Sequence, residues 1–246
     1  MNKSRKRKRR NPQNRTSRDR SNVFIVGVSG ASGCGKSYFV KLLKARLIKN
    51  KVLAKNIQVI SCDDYYKTFF EKDGTHRKAD SGTYEKTPEY LKYNWDSPDA
   101  VDLEMLENHL RELKRGENVM IPKFNFNSSV QTLKTRKVVD ASKVKVIIVE
   151  GLFTFYLESL RQLFDLKLFI SSDMEVCLVR RLLRDFEKRG SDYNRTIKQY
   201  LENVKPAYYA YIEPTKVFAD FTINNSYDST YTTSMDIICD YIQSRM

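Results

Sequence analysis

Short apolar runs recur along the chain, and they predict the strands of a buried sheet. Uninterrupted runs of apolar, β-branched residues are typical of strands that are covered on both faces. The runs are VFIVGV (23–28), IQVISC (57–62), VKVIIVE (144–150), LKLFIS (166–171) and, more weakly, VFADFTI (217–223). We therefore expect five strands, spread over most of the chain.

Helical patterns separate these runs. Directly after the first run, apolar residues keep helical spacing within 38–48, at Phe39, Leu42, Leu43 and Leu47. Similar patterns cover 101–114, 174–189, 193–213 and 228–245, and the pattern at 174–189 stops at Gly190, a common helix end. Strands that alternate with helices predict an α/β fold, with a mainly parallel five-stranded sheet and helices on both faces.

Two segments depart from this alternation. Within 119–140, VMIPKFNF and TLKTRKVVD have the pattern of two antiparallel strands, so we expect a β-hairpin outside the main sheet. Residues 70–93 are polar and rich in Lys, Glu, Thr and Tyr. We expect them to form a long surface loop over the carboxyl edge of the sheet.

The net charge of +14 is concentrated at the N-terminus. Residues 1–20 hold ten Lys or Arg and one Asp, which is +9 and leaves +5 for the remaining 226 residues. Residues 1–21 have no apolar residue after Met1, so we predict a disordered basic tail before a single domain at 22–246. The tail has two interpretations: a nuclear address or nucleic-acid or other anionic contact, or a solvated segment that only aids solubility.

Composition also limits the compartment. No apolar run approaches the roughly 18 residues that a membrane span needs, and no apolar segment follows the N-terminal charges as in a secretory signal. The four cysteines form no C-x-x-C pair, and there are only two histidines. Neither a disulfide framework nor a Cys/His zinc site is expected. We predict a cytoplasmic protein without membrane contact, with nuclear placement through the tail as the alternative.

The first predicted strand leads into a glycine-rich turn that matches G-x-x-x-x-G-K-[ST]. Glycines let successive backbone N–H groups curl around phosphate oxygens, and the next helix points its positive dipole end at the anion. The lysine reaches the β- and γ-phosphates, and the hydroxyl ligates Mg²⁺. The pattern predicts a P-loop NTPase fold with a phosphate cradle built from Gly30, Ala31, Ser32, Gly33, Cys34, Gly35, Lys36 and Ser37.

Two acids follow predicted strands, at the sheet edge where open α/β sheets bind ligands. Asp63 follows the strand at 57–62 and can orient or deprotonate an attacking hydroxyl, or else it is a turn or N-cap acid. Glu150 ends the strand at 144–150, where an acid can hold Mg²⁺ through water, or else it is a simple turn residue. Ser37, Asp63 and Glu150 are the metal candidates. No N-K-x-D motif is present, which disfavours a GTPase.

The predicted helix at 174–189 is rich in arginine. Arg181 and Arg184 are three residues apart and so share a face. Arginines on a mobile lid can stabilise the charge that develops on a transferred phosphoryl group. On charge alone, a solvated basic helix is the simpler interpretation.

In their order along the chain, these motifs resemble the uridine–cytidine kinases, within the wider group of P-loop kinases that includes phosphoribulokinase. The resemblance extends from residue 23 to about residue 223. It rests on GVSGASGCGKS (27–37), CDDYYK (62–67), NWDSPDAVD (94–102), IPKFNF (121–126), VIIVEGLFTFY (146–156), RRLLRDFEKRG (180–190) and KPAYYAYIEPTKVFAD (205–220).

The resemblance implies roles for individual residues. Asp63 would lie beside a nucleoside 5′-hydroxyl, with Asp64 in the place of a small residue. Asp96 would hold the ribose 2′- and 3′-hydroxyls with the help of Arg181. The remaining roles are also carried over by resemblance: base packing by Trp95 and Phe126, a position near the nucleoside for Gln199, and lid contacts to the ATP phosphates by Arg184 and Arg189.

The resemblance further implies an Mg²⁺-dependent enzyme of pyrimidine salvage. ATP would be the phosphoryl donor, with GTP as the alternative. The hairpin at 119–140 would close over the base, and 174–192 would form the lid region. Homotetramers and regulation by pyrimidine triphosphates are common in that family.

Three departures from the family pattern concern base recognition. The family has Tyr at Phe124, His at Ser129 and Arg at Ser191, and the first two read the base edge. A site that loses buried hydrogen-bonding groups loses discrimination by orders of magnitude. We therefore expect a nucleoside kinase whose base specificity is shifted, relaxed or weak. Two alternatives stay open: a kinase for another ribosyl compound or small-metabolite alcohol, and a nucleotide-binding regulator whose tail binds nucleic acid.

Overall fold

A computed structural model of the protein describes residues 23–67, 93–125, 130–189, 192–226 and 231–246. The predicted tail, and the predicted loop at 70–93 except its last residue, lie outside the described residues. Within these ranges, no helix combines the length and the apolar character that crossing a bilayer requires.

Five parallel strands form the main sheet, as predicted. The seven strands of the described chain are β1 (Phe24–Gly30), β2 (Ile57–Ser61), β3 (Val119–Asn125), β4 (Val130–Val139), β5 (Val146–Glu150), β6 (Leu166–Ser171) and β7 (Phe221–Asn224). The sheet order is β2-β5-β1-β6-β7, and every pairing is parallel. All seven residues of the central strand β1 are buried, which explains its continuous apolar pattern.

Seven α-helical segments accompany the strands in the described chain. They are α1 (Lys36–Lys49), α2 (Leu103–Lys114), α3 (Glu158–Arg161), α4 (Met174–Arg189), α5 (Tyr193–Gln199), α6 (Lys205–Ala207) and α7 (Thr232–Ser244). The helix predicted at 174–189 is confirmed. The helix predicted at 101–114 begins later, because the Asp102 side chain accepts a hydrogen bond from the Met105 N–H (2.9 Å) and caps it.

The helical run predicted at 193–213 is continuous but irregular. Two π-helical turns, Tyr200–Val204 and Tyr208–Ile212, follow α5 and α6, and a 3₁₀ helix, Glu213–Phe218, ends the run. This 3₁₀ helix takes the first residues of the strand predicted at 217–223. Pro214 stands in its first turn, where the fixed φ of proline favours a helix start. The edge strand β7 is therefore shorter than predicted and begins at Phe221.

The hairpin predicted at 119–140 is confirmed as the antiparallel pair β3–β4. Its ladder shifts register between Ile121 and Lys123, at Pro122, which has no N–H to donate. Strand β3 contacts the short 3₁₀ turn Cys62–Tyr65 that follows β2. The hairpin thus lies beside the segment that carries Asp63.

Helix α1 carries the phosphate-binding turn into the core. It contacts β1, β5 and α7, and its residues Phe39, Leu43 and Leu47 are fully buried. Leu42, which was predicted on the same face, is only partly buried. An ion pair between Arg46 and Asp236 also joins α1 to α7.

The packing of α1 leads to a stability prediction. Leu43→Ala should lower the free energy of unfolding by about 2–5 kcal/mol, because it leaves a cavity among fully buried neighbours. Leu53→Ala is the matched control and should change it by less than about 0.5 kcal/mol, because Leu53 is 56% exposed. Urea unfolding followed by circular dichroism measures both. Equal losses in the two variants would show that α1 does not pack as described.

Candidate functional site

The glycine-rich turn at 30–37 connects β1 to α1 and has the backbone that a phosphate cradle requires. Gly33 and Gly35 have φ angles of 83° and 96°, which side-chain-bearing residues rarely adopt. A Cβ on Gly33 would meet the carbonyl oxygen of Cys177, and a Cβ on Gly35 would meet the side-chain amide of Asn225. The turn can therefore keep its shape only with glycine at both positions.

The ammonium group of Lys36 lies inside this turn. It is buried and donates hydrogen bonds to the carbonyl oxygens of Gly30 (3.0 Å) and Ala31 (2.8 Å). The two carbonyls carry no net charge, and the nearby Glu150 carboxylate interacts electrostatically with the ammonium group. Its position at the N-terminus of α1 suits an anionic phosphate.

Asn225 holds the cradle from outside. It follows β7, its N–H donates to Ser171 O (2.7 Å), and its Nδ2 donates to Cys34 O (2.6 Å). Arg180 fixes Asn225 in turn by donating from Nη1 to its carbonyl oxygen (2.8 Å). Both side chains therefore anchor the cradle to the carboxyl edge of the sheet.

Three oxygen-bearing side chains converge next to the cradle. The hydroxyls of Ser37 and Ser61 both donate to Glu150 Oε1, at 3.1 and 3.2 Å. Asp63 follows directly, and its N–H donates to Ser61 Oγ (3.3 Å). Ser37, Ser61 and Glu150 are thus in contact, and Asp63, one of the three predicted metal candidates with Ser37 and Glu150, lies next to them.

The electrostatics of this cluster fit a hard divalent cation. Burial raises the pKa of Glu150, Lys36 lowers it, and the nearby charge of Asp63 raises it again. The site offers two carboxylates and two hydroxyls. Mg²⁺ binds such oxygen ligands together with waters and phosphate oxygens. In the part of the chain that the structure describes, no group of three or more His, Cys, Asp and Glu side chains forms a closed metal cage.

Asp96 is a buried carboxylate close to Asp63. It is only 6% exposed, and its Oδ2 has no hydrogen-bond partner among the described residues. Burial raises the pKa of this carboxyl, Arg181 and Arg184 lower it, and Asp63 raises it further. Asp96 and Asp63 are therefore close enough to interact, which places a buried acceptor oxygen near the candidate base.

Aromatic rings form a wall beside Asp96. Trp95 lies between Tyr93 (4.8 Å between ring centroids) and Phe124 (5.9 Å), and Tyr66 contacts both Trp95 (5.9 Å) and Phe124 (5.4 Å). Phe124 comes from β3, so the hairpin supplies one side of this wall. The rings meet at tilted or edge-on angles. Phe124 and Tyr66 are buried, whereas Tyr93 and Trp95 are partly exposed and could contact a planar group.

Two arginines of helix α4 lie near Asp96, and one of them also contacts the phosphate cradle. Arg181 donates from Nη1 to Ser32 Oγ of the cradle (2.9 Å) and from Nη2 to Gln199 Oε1 (3.2 Å). Arg184 lies on the same side of α4, because both guanidinium groups contact the Asp185 carboxylate. The expectation that Arg181 and Arg184 share a face is correct.

Many of the predicted site residues thus lie next to one another at the carboxyl edge of the sheet. Phe126, Ser129 and Ser191 lie outside the described residues, and Arg189 is described only as the last residue of α4. Other residues of this region also carry a signal in the sequence. Ser61 ends a strand and Tyr66 and Asn225 follow one, Asp185 is four residues from Arg181, and Tyr93 is two residues from Trp95.

Comparison with known proteins gives a consistent result. The sequence model of the family described as Phosphoribulokinase / Uridine kinase matches residues 25–231. Uridine-cytidine kinase B from Dictyostelium discoideum is 34% identical over 223 residues, which cover 91% of this chain and 82% of that protein. A uridine kinase from Borrelia garinii subsp. bavariensis is 38% identical over 199 residues, which cover 81% of this chain and 85% of that protein.

Solved structures agree on the fold. A D-glycerate 3-kinase from Cryptococcus neoformans is similar with a TM-score of 0.55 at 16% identity, covering 82% of this chain and 86% of that chain. A possible uridine kinase from Bacillus stearothermophilus is similar with a TM-score of 0.54 at 18% identity, covering 82% and 88%. The predicted P-loop kinase fold is confirmed.

The burial of Asp96 leads to a prediction about pH and stability. A carboxyl whose pKa is raised by folding destabilises the folded state at neutral pH, and this cost disappears as pH falls through the raised pKa. Asp96→Asn should therefore raise the free energy of unfolding at pH 7.5, by on the order of 1 kcal/mol, and by less at pH 4.5.

Urea unfolding at the two pH values measures the difference. The exposed neighbour Asp99 supplies the control, and Asp99→Asn should change stability by less than about 0.5 kcal/mol. A loss of stability in Asp96→Asn at both pH values would mean that the buried charge is already compensated.

Proposed function

The chain belongs to the Phosphoribulokinase / Uridine kinase family, and we propose that it transfers the γ-phosphoryl group of ATP to the 5′-hydroxyl of a ribonucleoside. One observation carries the proposal. A continuous set of charged groups leads from the phosphate cradle, through Glu150 and Asp63, to the buried Asp96. It joins a phosphate-binding end to an acceptor-binding end in one space.

At the donor end, the cradle at 30–37 and Lys36 would bind the triphosphate. Ser37, Glu150 and Asp63 would hold Mg²⁺, which when bound neutralises charge on the β- and γ-phosphates. Arg184, and Arg189 at the end of α4, would lie over the phosphates and stabilise the charge that develops on the transferred group. Enclosure by these groups keeps water away from the phosphoryl group.

Asp63 would act at the reacting hydroxyl. Its backbone is fixed by the hydrogen bond to Ser61, and its charge raises the pKa of both Glu150 and Asp96. A carboxylate between the donor and acceptor ends can orient the 5′-hydroxyl and accept its proton as the new P–O bond forms. Positioning and charge stabilisation would supply most of the rate enhancement.

The acceptor end suits a ribose with two free hydroxyls. The Asp96 Oδ2, which lacks a hydrogen-bond partner among the described residues, can accept a hydrogen bond from the 2′- or 3′-hydroxyl. Arg181 lies near enough to lower the pKa of Asp96, and it contacts Gln199 and the cradle residue Ser32. These three side chains would align the sugar with the phosphates.

The base would stack against Trp95 and its aromatic neighbours. Phe124 has no hydroxyl, so this ring can pack against a base but cannot read its edge. Relatives named as uridine or uridine–cytidine kinases make pyrimidine ribonucleosides the first substrates to test. We propose that this chain accepts a wider range of bases, because stacking does not depend on a particular pattern of donors and acceptors.

The role of Asp63 can be tested against its neighbour. Asp63→Asn should lower kcat at least about 100-fold, because the amide cannot accept the hydroxyl proton, while ATP affinity stays within about threefold. Asp64→Asn is the matched control and should keep kcat within about fivefold, because Asp64 forms an ion pair with Lys123 (2.8 Å) at the hairpin. ADP release with Mg·ATP and uridine, and equilibrium titration with ATP, measure both effects. The reverse ranking of the two variants would make Asp64 the base.

The acceptor is tested with a panel of nucleosides. Uridine, cytidine, adenosine, guanosine and inosine should be phosphorylated with kcat/KM values within about 100-fold of each other. Their 2′-deoxy counterparts should lose a further factor of about 100 or more, because Asp96 is then left without its partner hydroxyl. Products are identified by mass.

Each departure from that result has a distinct meaning. Turnover confined to uridine and cytidine would show that other groups read the base, and it would reject the wider specificity. Equal turnover of deoxyribonucleosides would reject the role of Asp96. An absence of turnover on every nucleoside would reject the proposed substrate class.

A further inference from the structure

A buried carboxylate lies between the two arginines of α4 that face the site. Asp185 is 4% exposed. Its Oδ1 accepts a hydrogen bond from Arg184 Nε (2.8 Å), and its Oδ2 lies 3.4 Å from Arg181 Nε. The spacing of four residues from Arg181 places the two side chains on one helix face.

Three side chains surround the guanidinium group of Arg181. Nη1 donates to Ser32 of the cradle and Nη2 donates to Gln199, whereas Nε makes no hydrogen bond among the described residues and lies 3.4 Å from Asp185 Oδ2. A planar guanidinium with a different neighbour on each edge has a preferred orientation. The charge of Asp185 therefore favours the orientation in which the Nη atoms face Ser32 and Gln199.

Stability alone does not explain this arrangement. Taking a carboxylate and a guanidinium out of water costs about as much free energy as their attraction returns, and apolar residues of similar size are often as stable. Arg180, on the same helix, has a structural role instead. It donates hydrogen bonds to the backbone carbonyls of Asn225 and Ser226. The buried pair of Asp185 instead joins two arginines next to Asp96 and the cradle.

We propose that Asp185 is a positioning residue for phosphoryl transfer: it holds Arg181 and Arg184 as one rigid pair between the phosphate cradle and Asp96. This inference rests on the proposed function, because it assigns both arginines to the transferred phosphoryl group and the acceptor. Asp185 touches neither substrate. It acts through the two guanidinium groups, which it keeps in the orientation that the transition state requires.

The first test is Asp185→Asn, which keeps the shape and removes the charge. We expect kcat per folded enzyme to fall about 30- to 100-fold, because a displacement of about 1 Å in a positioned group has effects of this size. The affinity for ATP should stay within about threefold, because Lys36 and the cradle amides are unchanged. Asp236→Asn is the control: it removes the Arg46–Asp236 ion pair, which lies between α1 and α7, and should leave kcat within about twofold.

A double-mutant cycle separates positioning from general support of the fold. If Asp185 acts through Arg184, Asp185→Asn should lower kcat by less than about threefold when Arg184 is already Gln. Asp185→Glu keeps the charge and should retain more activity than Asp185→Asn. If Asp185→Asn shows no cooperative unfolding transition, and is therefore not natively folded, the same cycle is made with Asp185→Glu.

Two results would overturn the inference. One is an unchanged kcat in folded Asp185→Asn. The other is that the effect of Asp185→Asn simply multiplies with that of an Arg184 variant and also with that of an Arg181 variant. Both require an active wild-type enzyme. They are therefore distinct from failure of the proposed function, in which the wild-type protein itself turns over no nucleoside.

Discussion

The parallel register of β2, β5 and β1 is the constraint on which the site depends. Ser61 pairs with Glu150, and Glu150 pairs with Val28, two residues before the cradle begins. All three strands therefore end at the same edge, so that a hydroxyl, a carboxylate and the phosphate-binding turn meet there. A slip of one residue in either pairing would turn Glu150 to the opposite face of the sheet.

The carboxyl edge of the sheet carries several buried charged side chains, which is unusual for a protein interior. Lys36, Arg181, Asp96 and Asp185 are each less than a tenth exposed. Opposite charges compensate one another only in part, because burial still raises the pKa of Glu150 and Asp96. Sites prepared for a charged ligand often carry such a cost, since the ligand completes the compensation. In the proposed reaction, the triphosphate and the ribose diol would supply the missing partners.

The hairpin β3–β4 contacts the segment that carries Asp63. The β3–β4 ladder shifts register at Pro122, and the next two residues, Lys123 and Phe124, contact the segment after β2: Lys123 pairs with Asp64, and Phe124 packs against Tyr66. The hairpin and the segment that carries Asp63 are thus connected by one ion pair and one ring contact. A hairpin outside the main sheet can vary in sequence without disturbing the core, which makes it a suitable element to determine which acceptor the site admits.

The amino-acid sequence by itself determined the elements and the phosphate cradle of this protein. Apolar runs locate four of the five sheet strands to within a few residues, and the cradle follows from one local motif. The prediction for the edge strand β7 began too early, at residue 217, because only Ile223 of its four residues is buried and the apolar pattern is correspondingly weak. The tertiary structure alone decided the strand order, the aromatic wall around Trp95 and the position of Asp185 between two arginines. These features join residues that are distant in the chain, or select one side-chain orientation among several, and local periodicity carries no information about either.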